Sequence, residues 1–367
     1  MKPTKNQLFK RQITLSEVGE EGQQKLQNAS VLVVGCGGLG SPIAVHLAAS
    51  GIGQIHLVDF DTIDATNLHR QVFYSLADIG ESKAKTLATF IKGRAPFTEV
   101  TFNNKPITKE TVFELIEDVD IVIDGTDSLP TKYLLNDACV IKNKPVVYGS
   151  LYKFDGYVAS FNVKQEDGTY SANLRDAFPK IATDVPNCEE AGTLNSIVSL
   201  IAAQQVNEVL KLVTGIGKPL INQLLIYNSL ENSQLKMKLT SLDSSHSDRK
   251  KRISAIFENE SYFDASCEMQ NPDWLISAEE LKRIVLGTER SRSVEIISVL
   301  ENLQTPFKVD KEIIFQNLNS EEFHIDLSKK LVFVCQKGIT SYKATQILRE
   351  RFPQADILSL AGGINDY

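Results

Sequence analysis

The glycines at positions 35 to 40 are the first residues whose spacing suggests chemistry. In Val34-Gly35-Cys36-Gly37-Gly38-Leu39-Gly40-Ser41-Pro42, Gly35, Gly37 and Gly40 meet a G-x-G-x-x-G spacing, after an apolar run and before a helical pattern. Such a turn lets backbone amides approach a phosphate, and the following helix N-terminus adds partial positive charge. Pro42 suits the first turn of that helix, where its missing donor would be unpaired anyway. Asp59 ends the next strand, about where an acid takes a ribose hydroxyl. These features alone leave a nicotinamide oxidoreductase open. The residues that follow, Asp59-Phe-Asp61, Asn67-Leu-His-Arg70-Gln71 and Ser82-Lys83, shift the balance. A hydride-transfer site has little use for so many polar and cationic groups, whereas cleavage of a triphosphate does. Arg70 and Lys83 would neutralise charge as a nucleophile attacks the α-phosphate, and Asp127 would hold magnesium.

Two cysteines invite a second chemistry. Leu331-Val-Phe-Val-Cys335-Gln-Lys-Gly-Ile-Thr340 puts a thiol between a strand and a helix, with Gly338 letting the loop curl so that amides face the sulfur. A nest of this kind with a helix N-terminus stabilises a thiolate or persulfide anion. That matters because a thiol of pKa about 8.5 is only about 3% ionised at neutral pH. Cys188, in Cys188-Glu-Glu-Ala-Gly192, stands just before a long helical pattern and gains from the same effect. Cys36 and Cys139 read as core residues, and Cys267 has no visible partner.

The elements that must position these groups alternate. Ala29–Val34, Ile55–Val58, Asp120–Asp124 and Pro145–Tyr148 read as buried strands. Ser41–Ser50 and Asn195–Val213 carry helical apolar faces. Strands separated by helices imply an α/β, doubly wound sheet. Polar residues from Leu239 to Arg252 mark a linker, so the chain is expected to divide into residues 1–240, a linker at 241–271 and a smaller α/β domain at 272–367. In that last part Ser277 caps a helix, with Glu280 completing a capping box. Leu331–Val334 is a strand and Ser341–Phe352 an amphipathic helix.

With 367 residues, 42% hydrophobic and 23% charged, the chain reads as soluble and globular. Its net charge of −7 supplies no basic surplus for nucleic acid, so no such partner is expected. The first residues lack a signal-like apolar core and no stretch spans a bilayer, which leads to the expectation of a cytoplasmic protein without membrane partners. Five scattered cysteines fit reduced thiols.

Arg11-Gln-Ile, the glycine loop, Asp59-Phe-Asp61, Asn67-Leu-His-Arg70-Gln71, Ser82-Lys83, Thr126-Asp127-Ser and Cys188-Glu-Glu-Ala-Gly192 stand in the order and spacing of ubiquitin-activating-type adenylyltransferases. Over residues 8–240 the chain resembles the molybdopterin-synthase and thiamine-biosynthesis members, with their Rossmann-like domain. The resemblance implies ATP- and magnesium-dependent adenylation of the C-terminal Gly-Gly of a ubiquitin-like sulfur carrier. By position, the nucleotide-binding set would be Arg11, Gly35, Gly37, Gly38, Gly40, Asp59, Asp61, Asn67, Arg70, Gln71, Lys83 and Asp127. Arg11 would reach the triphosphate of a neighbouring subunit, which implies a homodimer. In some members the Cys188 position bonds to the carrier.

Residues 272–367 resemble a rhodanese-like sulfurtransferase domain, from Ile276-Ser-Ala-Glu-Glu-Leu281 to Leu360-Ala-Gly-Gly-Ile364. The loop has the C-x-x-G-x-[RT] form, so Cys335 would carry persulfide sulfur from a cysteine-desulfurase-type donor. The usual Asp-Val-Arg is replaced by Ser298-Val-Leu300. Catalysis is therefore expected from Arg70, Lys83, Asp127, Cys188 and Cys335. Having donor and adenylate in one chain raises their effective concentration. The bacterial relatives carry two Cys-x-x-Cys zinc pairs. Here those places read Tyr170-Ser-Ala-Asn173 and Ser245-His-Ser-Asp248, and no structural zinc is expected. The rhodanese fusion favours a molybdopterin-type carrier over the thiamine type. A non-catalytic docking module is the other alternative.

Overall fold

The computed structural model describes residues 3–181, 192–243, 245–262, 271–287, 293–315, 318, 325–336 and 338–367. The chain forms two compact units, Met1–Asp264 and Ala265–Tyr367. In the first, helices α1 (Lys5–Ile13) and α2 (Gly19–Asn28) precede β1 (Ser30–Val34), α3 (Gly40–Ser50) and β2 (Gln54–Val58). Then come α4 (Lys83–Arg94), β3 (Glu99–Asn103), α5 (Val112–Glu117), β4 (Ile121–Asp124), α6 (Leu129–Lys142), β5 (Val146–Tyr152) and β6 (Asp155–Phe161). Helices α7 (Leu174–Ala177) and α8 (Asn195–Thr214), strands β7 (Gln223–Asn228) and β8 (Ser233–Lys238), and α9 (His246–Asn259) complete the unit.

Its sheet runs β3-β2-β1-β4-β5-β6-β7-β8. The first five strands are parallel and the last three pair antiparallel. β1 is central because every residue after Ser30 is apolar and can be buried on either face. Val31 and Val33 join one apolar cluster with Ile43, Leu47, Leu87 and Ile201, while Leu32 and Val34 join the other with Val58, Leu134 and Leu135. That is the alternation of a strand covered on both sides. The chain winds outward from β1 in one direction through β2 and β3, and in the other through β4 and β5. The crevice at the carboxyl ends of β1 and β4 is thus the switch point where such sheets bind ligands.

Where a linker is expected, residues 246–259 instead form a helix belonging to the first unit. Ser245 caps it, accepting from the Asp248 amide at 3.1 Å. Arg249, Ile253 and Phe257, four residues apart, are its buried stripe, while Ser247, Asp248, Lys250 and Lys251 are exposed. So narrow a stripe in a charged sequence has the composition of a linker. The first unit accordingly runs on to Asp264 rather than ending at 240.

The second unit contains β9 (Leu275–Ile276), α10 (Ala278–Leu286), β10 (Val294–Ser298), β11 (Lys311–Glu312), β12 (Lys330–Val334), α11 (Ile339–Arg351) and β13 (Ile357–Leu360). Its sheet order is β11-β10-β12-β13-β9 and all four pairings are parallel. Ser277 caps α10 by accepting from the Glu280 amide at 3.2 Å. Along β12, Leu331 and Phe333 pack to one side and Val332 and Val334 to the other. Among the described residues, no helix is long and apolar enough to cross a membrane.

Candidate functional site

The glycine loop leaves β1 and enters α3, and its glycines are required by space. Gly35 has φ +85°, and a Cβ there would lie 2.8 Å from the Gly125 backbone. A Cβ on Gly40 would overlap the Gly35 carbonyl oxygen. At Gly38 a Cβ would meet Val198 of α8 at 2.8 Å and the Arg70 side chain at 3.5 Å, which places Arg70 against the loop. At Gly37 it would lie 3.3 Å from the Gln71 carboxamide, whose own oxygen is buried without a hydrogen-bond partner. The loop is a cradle bordered by the Arg70-Gln71 pair.

The acid at the end of β2 braces this cradle. Cys36 N donates to Asp59 Oδ2 at 2.6 Å and Asp61 N donates to Asp59 Oδ1 at 2.8 Å. Lys83, first residue of α4, donates from Nζ to Asp61 Oδ2 at 2.8 Å with its own side chain only 7% exposed. Burial pushes the Asp59 carboxyl up to about 6, with Lys83 pulling the other way. Burial works against the Lys83 charge, but Asp59 and Asp61 outweigh it and hold its pKa above the ordinary lysine value, with Asp127 adding to the effect. Lys83 is therefore a cation kept charged beside a loop shaped for anions. Tyr74, which sequence reasoning missed, ties these parts together by donating to the Cys36 carbonyl at 2.7 Å.

Asp127 is exposed in the loop that joins β4 to α6. Beneath that loop lies a second group that sequence reasoning missed. Lys132 Nζ donates to both Asp124 oxygens at 3.1 Å, to the Thr126 carbonyl at 2.7 Å and to the Gly149 carbonyl at 2.7 Å. Gln205 of α8 donates to the Asp124 carbonyl at 2.8 Å. A lysine standing among the apolar residues of Leu129–Lys142 was the only sign of this arrangement in the sequence.

The structure thus gathers Gly35, Gly37, Gly38, Gly40, Asp59, Asp61, Arg70, Gln71 and Lys83 around one loop, with Asp127 close enough to Lys83 to act on its charge. Asn67 is half-buried; its carbonyl accepts from the Arg70 and Gln71 amides and so shapes the turn that carries them. Arg11 is exposed on α1. Cys188 lies outside the described residues, as does Cys267. Cys36 and Cys139 are buried, and burial raises both thiol pKa values, which suits packing rather than chemistry.

In the second unit Cys335 follows β12 and is 1% exposed. Its Sγ accepts from the Ser341 amide at 3.3 Å and lies 3.2 Å from Ser341 Oγ. Gly338 supplies the turn, with φ +76° and no room for a Cβ, which would lie 2.8 Å from Gly363 N. Ser298, standing where the resembling domains have an acid, closes a local turn by donating to the Leu300 carbonyl at 2.8 Å.

The segments that would face each other across a zinc ion are joined by other means. The Tyr170 and His246 rings stack at 4.4 Å. Arg249, buried, donates to the Ser171 carbonyl at 2.6 Å and pairs with Asp176 at 3.6 Å, while Arg252 bridges Asp176 and Asp243 at 3.1 and 2.7 Å.

The ThiF family model matches residues 9–249. The sequence is 40% identical over 241 residues to the sulfur carrier protein adenylyltransferase of Thermus thermophilus, covering 65% of this chain and 89% of that protein. It is 30% identical over 382 residues to the adenylyltransferase and sulfurtransferase MOCS3 of Culex quinquefasciatus, covering 97% of this chain and 86% of that one. Among solved structures, E. coli MccB with MccA-N7isoASN shares the fold at a TM-score of 0.58 and 23% identity, over 65% of this chain and 74% of that one.

Proposed function

This chain belongs to the ThiF family and is an adenylyltransferase and sulfurtransferase of the kind its full-length relatives represent, and from that premise we propose that it activates the C-terminal glycine of a ubiquitin-like sulfur carrier with ATP and converts it to a thiocarboxylate. The preferred carrier is of the molybdopterin-synthase small-subunit type. In the first step a carboxylate oxygen of the carrier attacks the α-phosphorus of ATP. The bond to the β-phosphate breaks, pyrophosphate leaves and an acyl adenylate remains. The glycine loop binds the phosphates through its amides, Asp59 takes the ribose, and Arg70 and Lys83 neutralise the charge that develops. Magnesium, when bound with ATP, shields the phosphate charges, and the exposed Asp127 carboxylate suits an ion commonly held by one or two carboxylates with phosphate and water. Arg11 would serve the neighbouring subunit of a homodimer.

In the second step the terminal sulfur of a Cys335 persulfide attacks the acyl carbonyl and AMP leaves, giving an acyl disulfide. A thiol, Cys188 or a small-molecule thiol, then attacks the Cys335 sulfur. The sulfur–sulfur bond breaks, the carrier thiocarboxylate leaves, and the thiol is oxidised to a disulfide with Cys335. A cysteine-desulfurase-type donor reloads the persulfide once a thiol reductant has restored Cys335.

One observation carries the adenylation reading: Lys83 is buried, bonded to Asp61, and held charged by Asp61 and by Asp59, the carboxylate that holds the glycine loop. A hydride-transfer site gains nothing from such a cation. Mass spectrometry of the purified chain with ATP, a persulfide donor, a thiol reductant and each candidate carrier tests the whole scheme. Adenylate and then thiocarboxylate are expected on one carrier. Pyrophosphate–ATP exchange that never proceeds to thiocarboxylate would remove the sulfur step, and no exchange with any carrier would leave a docking module.

A further inference from the structure

Asp127 reaches the site from a short loop, and a free loop would not hold it. The residues on both sides of that loop are tied to one buried ammonium. Lys132 is 3% exposed and Asp124 is 1% exposed, so their contact is dry and directional. The Asp124 carboxylate accepts from the Thr126 amide at 3.0 Å and from its hydroxyl at 2.8 Å, which closes the turn leading to Asp127. Lys132 holds that carboxylate from below, holds the Thr126 carbonyl at 2.7 Å, and anchors the assembly to β5 through the Gly149 carbonyl. Its bonds therefore reach the backbone unit immediately before Asp127. An ammonium has three protons and meets these acceptors from a helix that starts at the far end of the same loop.

We infer that Lys132 is the positioning residue of the adenylation site: through the Thr126 carbonyl and the Asp124 carboxylate it fixes where Asp127 stands. Among the described residues its hydrogen bonds go to Asp124, Thr126 and Gly149 rather than to the glycine loop. The inference rests on the adenylation reading and adds to it a residue acting through Asp127. Glutamine at 132 cannot neutralise Asp124. Arginine keeps the charge, but its planar fork cannot bring one donor atom to Thr126 and Gly149 together in the space of an ammonium.

Pyrophosphate–ATP exchange by the full chain, with a recombinant molybdopterin-synthase-type carrier ending in Gly-Gly, tests this. K132Q is expected to lower kcat roughly 10- to 100-fold and K132R roughly 3- to 10-fold, while KM for ATP stays within about threefold, because a displaced Asp127 costs rate rather than ground-state binding. D127N provides the decisive comparison. If Lys132 acts through Asp127, K132Q slows a D127N enzyme less than about threefold; a merely structural lysine slows it by the same factor as the wild type. Thermal unfolding is followed for each variant. Should K132Q be unfolded at the assay temperature, K132R carries the comparison in both backgrounds with its own thresholds. Wild-type kcat in the folded variants, an effect on KM alone, or equal factors in both backgrounds overturns the inference. A wild-type chain without exchange overturns the reading it rests on and the inference with it.

Discussion

The Asp59 carboxylate accepts the Cys36 amide proton at 2.6 Å, so an acid just past β2 holds the glycine loop that follows β1 in shape. With both oxygens accepting amide protons, the ionised form is the one that fits, yet burial raises its pKa to about 6. An acid whose folded pKa exceeds the unfolded value of 3.8 binds its proton more tightly when folded. Folding stability from Asp59 is therefore full below about pH 4 and declines as pH rises to about 6, by roughly 3 kcal/mol for about two pKa units. Denaturant unfolding of the wild type and D59N between pH 4 and 7 should show a decline that is steeper in the wild type by roughly this amount. Parallel curves would exclude Asp59 as its source. Adenosine, lacking phosphate, should bind the wild type less well as pH falls through 6.

Space at the loop leads to a contrast between two glycines. At Gly40 a Cβ would overlap the Gly35 carbonyl, whereas at Gly93, exposed near the end of α4, a Cβ meets nothing within 4 Å. G40A should lose nucleotide binding altogether. G93A should raise stability by about 0.5–1 kcal/mol, since alanine loses less chain entropy in a helix. Calorimetric titration with ATP and thermal unfolding distinguish these outcomes. Nucleotide binding retained in G40A would mean that the loop does not hold the phosphates.

On the proposed adenylation, Lys83 sets the size of one expected effect. Removal of one preorganised charge at a reacting phosphate costs about 10²–10³ in rate. K83A should therefore lower the kcat of pyrophosphate–ATP exchange by that factor. K83R should recover little of it, because a planar guanidinium fork does not reproduce the compact point charge that Lys83 holds against Asp61. A K83A enzyme within threefold of wild type would remove Lys83 from the groups that stabilise the reacting phosphate.

The parallel sheet and its glycine loop were legible because burial on both faces forces an unbroken apolar run, and only glycine permits the backbone approach at Gly35 and Gly40. The cations Arg70 and Lys83 were legible from their spacing after the loop. Besides Tyr74, two things were not. The stripe Arg249-Ile253-Phe257 places an arginine where periodicity looks for an apolar residue, so a core helix read as linker. Lys132 could not be assigned because its partners are the Thr126 and Gly149 carbonyls and the buried Asp124. Pairing across the sheet cannot be read along a single chain.

The residues once read as linker also support a buried ion pair. Arg175 donates to Asp137 from Nε at 2.9 Å and from Nη2 at 2.7 Å, and the Tyr262 hydroxyl donates to the same carboxylate at 2.6 Å. Breaking a buried pair leaves an uncompensated charge and costs about 3–5 kcal/mol, whereas an apolar replacement of both partners is often close to neutral. R175M should thus destabilise the first unit by that amount and the double variant D137L/R175M by less. Y262F should cost about 1.5–3 kcal/mol, the range for a hydrogen bond to a charged group. Urea midpoints measure all three, and a double variant weaker than R175M would assign the pair a net stabilising role.

The proposed sulfur step turns on how Cys335 is held. Its Sγ meets the Ser341 amide and hydroxyl, and Ser359 donates to Ser341 Oγ at 2.8 Å, a better bond than its 3.5 Å alternative to the Gly338 carbonyl. With the Ser359 proton directed at Ser341, the Ser341 proton is free to point at the sulfur and stabilise negative charge there. Loss of one such bond is worth about 1 kcal/mol, or roughly fivefold in rate. C335A should form no thiocarboxylate while exchanging pyrophosphate at the wild-type rate, and S341A should form it about fivefold more slowly. Intact-mass measurement of the carrier with ATP and a persulfide donor reads both. Thiocarboxylate from C335A would mean that sulfur reaches the adenylate by a route that bypasses this domain.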